Sequence, residues 1–146
     1  FLITMDADLS HDPKEISNFI YNLNYYPFVI GSRYIEGGKC EMTGYRLFLS
    51  YYGNKFIKLV LNSKCSEFTT SFRGFNLKKL NNFNLNVVKS SGYSFFMSVI
   101  FELERRNFNI KEIPITFYER SFGKSKIEKI EIFRTLKSLF LNKLKK

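Results

Sequence analysis

The chain has 146 residues, one domain's worth, and 23 Lys and Arg against 13 Asp and Glu give it a formal charge of +10. That surplus points to anionic partners: phosphates, acidic lipid or nucleic acid. A lone histidine and two cysteines without Cys-x-x-Cys spacing argue against a zinc site, and two unpaired thiols suit a reducing compartment. No apolar run approaches the roughly 20 residues that cross a bilayer.

The opening stretch, Phe1 to Pro13, is an apolar run ending in two carboxylates one residue apart, Asp6 and Asp8. A short unbroken run predicts a strand buried on both faces of an α/β sheet. Ligands gather at the carboxyl ends of such strands, where both aspartates emerge. Side chains two apart on an extended segment share a side, so the pair can hold one hard cation; capping of the following turn is the other reading. Asp12-Pro13-Lys14-Glu15 predicts a helix start, with Asp12 as N-cap and Pro at the first position. Ile16, Phe19, Ile20 and Leu23 follow at helical spacing.

Pro27 to Ile30 reads as the next buried strand and runs into Gly31-Ser32-Arg33-Tyr34, then Gly37-Gly38, whose glycines suggest a mobile loop. Arg33, where strand meets loop, is placed to grip phosphate. Residues 43–63 predict a long helix with an apolar stripe of Tyr45, Phe48, Leu49, Tyr52, Phe56, Leu59 and Val60; Arg46 and Ser50 share a face near its start. Residues 77–80 suggest a helical turn and 81–86 a polar one. Residues 110–120 alternate as a strand, with Pro114 implying an edge or an interruption. Residues 127–146 predict a basic amphipathic helix, suited either to docking on the domain or to an anionic membrane surface.

Four strings occur in the order of one family. They are Met5-Asp6-Ala7-Asp8-Leu9-Ser10-His11-Asp12-Pro13, Gly31-Ser32-Arg33-Tyr34 with Gly37-Gly38, Glu67 to Arg73, and Ile113-Pro114-Ile115-Thr116-Phe117 continuing to Arg120 and Gly123-Lys124-Ser125-Lys126. Together they resemble the dolichyl- and polyprenyl-phosphate mannose synthases of glycosyltransferase family 2. Four positions depart from the family pattern: Glu67 replaces its Asp, Ser71 its Gly, and Phe96 with Ser98 its Gln and Glu.

The resemblance implies an α/β GT-A fold, a Rossmann-like mixed sheet flanked by helices and lacking its N-terminal half, over residues 1–126, followed by the helix of 127–146. It implies inverting transfer of mannose from GDP-mannose, or of another sugar from its nucleotide, to dolichyl or polyprenyl phosphate. Asp8, Arg33 and Arg120 are the expected catalytic residues. Asp6, Arg33, Arg46, Ser50, Glu67, Arg120 and Lys126 are expected to bind substrates, and Asp6, Asp8 and Ser10 to hold Mg²⁺ or Mn²⁺. The expected setting is peripheral, on the cytoplasmic face of the endoplasmic reticulum or of a bacterial or archaeal plasma membrane, with small membrane subunits as further partners. Three alternatives compete. A phosphatase of the haloacid-dehalogenase type needs later acidic ligands, yet no Asp follows Pro13. A nucleic-acid module would show an interleaved stacking or recognition pattern, and none is present. A degenerate, non-catalytic transferase domain would fit the changes at Glu67, Phe96 and Ser98.

Overall fold

A computed structural model describes residues 1–81, 83–88, 90, 92–119 and 129–144. In chain order, β1 (Leu2–Thr4) leads through a 3-10 turn (Pro13–Glu15) into α1 (Ile16–Leu23), then β2 (Phe28–Ser32), β3 (Lys39–Cys40) and α2 (Gly44–Leu61). After these come β4 (Arg73–Phe75), α3 (Tyr93–Arg105), β5 (Ile110–Pro114), β6 (Thr116–Phe117) and α4 (Lys129–Leu144). Local chemistry sets several of these boundaries. The Asp12 carboxylate accepts from the Lys14 N–H at 2.9 Å, and Pro13 opens the turn. Asn62, at φ 47°, takes the left-handed conformation that ends α2.

The main sheet has the order β1-β4-β2-β5. β4 runs antiparallel to both neighbours, while β2 and β5 are parallel, so β1, β2 and β5 all point one way. Past Ser32 and Pro114 the chain bends, and β3 pairs with β6 in a second, two-stranded parallel sheet. Pro114 thus lies on an edge strand at the break between β5 and β6, where its missing N–H is tolerated.

β2 is buried along its whole length and separates two apolar layers. Phe28 and Ile30 face Ile57 and Leu61 of α2, Met97 and Ile100 of α3, and Leu139 of α4. Val29 points the other way, to Phe19 and Leu23 of α1, with Ile113 and Phe72. Gly74 of β4 passes under α1 so closely that a β-carbon would stand 2.9 Å from the Leu23 side chain.

Two expectations need correction. β1 is not buried on both faces: it is an edge strand, and Leu2 is 44% exposed while Ile3 packs against the α1 cluster. Most of the α2 stripe does not face the core either, although Val60 packs against it. Asn54, Ile57 and Leu61 are its buried positions, and Tyr45, Phe48, Tyr52, Phe56 and Leu59 lie in solvent. Periodicity identifies an apolar face without saying what covers it.

Candidate active site

The shared direction of β1, β2 and β5 gathers chemistry at one edge of the sheet. Asp6 and Asp8 follow the carboxyl end of β1, and Arg33 follows that of β2. Because β4 is antiparallel, the segment Glu67–Phe72 that enters it lies at the same edge. β6, continuing from β5, adds Phe117.

The two aspartates are half-buried. Ser10 is fully buried, and both its backbone N–H and its hydroxyl donate to Asp8 Oδ1. Its hydroxyl therefore braces the carboxylate that was expected to be its fellow ligand. Leu9, at φ 65°, takes a left-handed conformation in the tight turn between them. His11 closes the segment. Its Nδ1 accepts from the Asp6 N–H at 3.2 Å, and Nε2 lies 3.3 Å from the Thr70 hydroxyl. An accepting Nδ1 places the proton on Nε2, which donates to Thr70. The ring is packed by Phe72 and Phe117, at 5.0 and 5.4 Å between centroids. Burial holds its pKa below the usual histidine value against the pull of Asp6, so the ring stays neutral.

Arg33 and Glu67, expected as separate substrate contacts, form a buried ion pair. Arg33 Nε donates to Glu67 Oε2 at 2.7 Å, and Nη2 to Oε1 at 2.8 Å. Nη2 also reaches the Thr69 hydroxyl at 2.8 Å. Glu67 Oε1 further accepts from the N–H groups of Thr69 and Thr70 and from the Thr69 hydroxyl. Burial disfavours the charge on both partners. Each offsets it for the other, so the carboxyl lies below the usual glutamate value and the guanidinium above its own. The guanidinium is sandwiched 5.0 Å from the rings of Tyr34 and Phe117. The longer side chain at position 67 is thus fully used in reaching Arg33.

Further contacts fix this pair from behind. The Glu112 carboxylate, on β5, accepts from the N–H groups of Ser66 and Glu67. The buried Asn54 of α2 accepts from the Phe68 N–H at 2.7 Å and donates to the Ser50 carbonyl at 2.8 Å. Tyr34 donates its hydroxyl to Ser50 at 2.7 Å, and burial pushes that hydroxyl's pKa up to about 12. Ser50 is therefore tied to Arg33 through Tyr34, while Arg46 stands one turn away, half-buried. Gly37 and Gly38 form a close turn instead of an open loop: a β-carbon on Gly38 would meet the Ser32 carbonyl oxygen at 2.6 Å.

Arg73 is the one site-forming cation for which the sequence gave no signal beyond its place in a string. It is 1% exposed and donates to the carbonyls of Thr70, Phe96 and Phe68. Burial pushes its pKa down; three carbonyls and the Phe96 ring, 4.7 Å away, hold the charge. Phe96 is thereby accounted for as the lid on this arginine. The Ser71 hydroxyl is buried without a hydrogen-bond partner among the described residues. His11 was also missed, although its position inside the aspartate string was a usable signal. Arg120 and Lys126 lie outside the described residues.

Asp6 and Asp8 follow the end of β1, while Asp12 caps the next turn and His11 is hydrogen-bonded to the Asp6 N–H and Thr70. Among the described residues no group of three or more His, Cys, Asp or Glu could enclose an ion. Such a donor set does not suit a protein-caged metal. It suits Mg²⁺ or Mn²⁺, which take a carboxylate or two and complete their shell with water and phosphate oxygens.

No family model matches the chain. Against curated proteins it is 32% identical over 127 residues to an undecaprenyl-phosphate mannosyltransferase of Micrococcus luteus, covering 86% of this chain and 52% of that protein. It is 34% identical over 128 residues to a polyprenol monophosphomannose synthase of Mycolicibacterium smegmatis, covering 86% of this chain and 48% of that one. The chain thus spans about half the length of the curated relatives it matches. Over the matched part, the chain belongs to the glycosyltransferase family of these polyprenyl-phosphate mannose synthases.

Proposed function

We propose that the protein carrying this chain transfers mannose from GDP-mannose to a polyprenyl phosphate at a membrane surface, with inversion and with the help of a divalent cation. The observation that carries this reading is the convergence, at one sheet edge, of Asp6 and Asp8 with the Arg33–Glu67 pair and the Tyr34–Ser50 bond. His11 and Phe117 join the two halves of that edge, His11 touching Phe117 and Phe117 touching Arg33.

The acceptor is a phosphate monoester whose second pKa is about 6, so it is largely a dianion near neutral pH and needs no general base. What the site must supply is cationic and hydrogen-bonding groups that let two phosphate-bearing molecules approach. Arg46 and Ser50 serve the acceptor phosphate in this reading, and Arg120 and Lys126 the diphosphate. Arg33 acts as a positioning residue, since Glu67 offsets its charge and fixes its plane. A divalent cation held by Asp6 and Asp8, with Ser10 bracing Asp8, would stabilise charge on the departing diphosphate as a Lewis acid. No helix among the described residues is long and apolar enough to cross a membrane.

The test is Asp8→Ala in the full-length protein, assayed with GDP-mannose and a short-chain polyprenyl phosphate in detergent. Transfer should vanish while the circular dichroism spectrum is retained. Near-normal turnover with added Mg²⁺ or Mn²⁺ would overturn the metal assignment. Transfer from UDP-glucose in preference to GDP-mannose would overturn the donor.

A further inference from the structure

Asn54 is the polar exception on the inner side of α2. It is 1% exposed, and the other buried positions of the helix are Ile57 and Leu61. A buried amide costs free energy unless its groups are paired, and here they are. Its Oδ1 accepts from the Phe68 N–H at 2.7 Å, and Nδ2 donates to the Ser50 carbonyl at 2.8 Å and to the Thr69 hydroxyl at 3.4 Å. An apolar residue would continue the row of Ile57 and Leu61, so packing alone does not account for the amide.

The spacing shows what Asn54 serves. Arg46, Ser50, Asn54 and Lys58 recur every four residues and form one polar row along the helix. Three of the four are tied to the chain opposite. Lys58 donates to the Ser66 hydroxyl at 2.9 Å, Asn54 holds Phe68 and Thr69, and the Ser50 hydroxyl accepts from Tyr34. Arg46, at the head of the row, makes no hydrogen bond or ion pair with a described residue.

These bonds also direct protons. The Thr69 hydroxyl accepts from Arg33 and from Asn54, so its own proton goes to Glu67 Oε1. The Ser50 hydroxyl accepts from Tyr34, so its own proton is turned away from that ring. Because Tyr34 follows Arg33 in the chain, the contacts close a ring through Tyr34, Ser50, Asn54, Thr69 and Arg33.

We infer that Asn54 and Tyr34 are positioning residues for the acceptor: their ring of hydrogen bonds seats α2 so that the Ser50 hydroxyl proton, with Arg46 one turn before it, meets a phosphate monoester. This rests on the assignment of Arg46 and Ser50 to the acceptor phosphate proposed above. Neither Asn54 nor Tyr34 touches that phosphate; both act through Ser50.

The experiment titrates the full-length protein in detergent with farnesyl phosphate and, separately, with GDP-mannose. Tyr34→Phe removes one hydroxyl and keeps the ring that packs on Arg33 and Tyr51, so the melting temperature should hardly move. Its Kd for farnesyl phosphate should rise at least about fivefold, as expected for one lost hydrogen bond, with the Kd for GDP-mannose unchanged. Asn54→Asp keeps an acceptor for the Phe68 N–H but removes both donors, and should share the defect. Ser50→Ala should weaken farnesyl phosphate as well, and adding Tyr34→Phe to it should cause little further loss. Additive losses in that double variant would overturn the inference. So would wild-type affinity for farnesyl phosphate in Tyr34→Phe, or an equal loss of both ligands, which a merely structural role would give. A wild-type protein that binds GDP-mannose but not farnesyl phosphate would overturn the acceptor assignment itself, and this inference with it.

Discussion

Replacing Glu67 by Gln tests whether the ion pair is the anchor of the site. The carboxylate is 0% exposed and accepts five hydrogen bonds: two from Arg33, two from Thr69 and one from Thr70. Gln keeps the shape but has one acceptor atom and turns an NH₂ group toward donors. Arg33, only 7% exposed, is left as a buried cation without its counter-charge. Removing one partner of such a pair costs about 3–5 kcal/mol, a large share of the roughly 5–15 kcal/mol that holds a domain folded. Urea denaturation followed by circular dichroism gives the difference from the midpoint at constant slope. The double variant Arg33→Met with Glu67→Leu removes both charges and should be more stable than either single change. A Glu67→Gln loss below about 1 kcal/mol would refute the reasoning, because the pair would then be solvated or dispensable.

Arg73→Met should be similarly severe: it leaves the carbonyls of Phe68, Thr70 and Phe96 buried without donors, at about 1–3 kcal/mol for each left unpaired. Hydrogen exchange should show the loss first in segment 67–75, and uniform protection there would contradict it. Acid should expose the Glu67 contribution separately. Its folded pKa is lowered from the ordinary 4.5, so its stabilisation is complete above that value and disappears as pH falls through the folded one. The stability gap between wild type and Glu67→Gln should therefore shrink below about pH 4.5. Glu112, whose burial raises its pKa, titrates in both proteins and cancels. A gap that stays constant from pH 7 to 3 would count against the pairing.

Local chemistry was legible in the sequence where it acts over a few residues. The Asp12 cap and the Pro13 start act on their own backbone, Asn62 ends α2 in the left-handed conformation, and Pro114 marked the sheet's interruption. β4 was not legible: Arg73-Gly74-Phe75 has no alternation, and it becomes a strand only because β1 and β2 both offer it an edge. The same limit hid the site's wiring. Arg33 and Glu67 are 34 residues apart, and each alone reads as a separate substrate contact. Phe96 looked like a lost polar residue until the cation beneath its ring was in view. The outward turn of the α2 stripe was undecidable from spacing, since an outward-facing and a core-facing apolar stripe share one periodicity.

The central place of β4 has a kinetic consequence. Its three residues must find Leu2–Thr4 on one side and Phe28–Ile30 on the other, partners 43 and more positions away, before β1 is joined to β2 and β5. The segment it closes is the one bearing Glu67, Thr69 and Thr70. Zipping of the middle strand and maturation of the polar edge are thus a single slow event, and a molecule caught before it has neither.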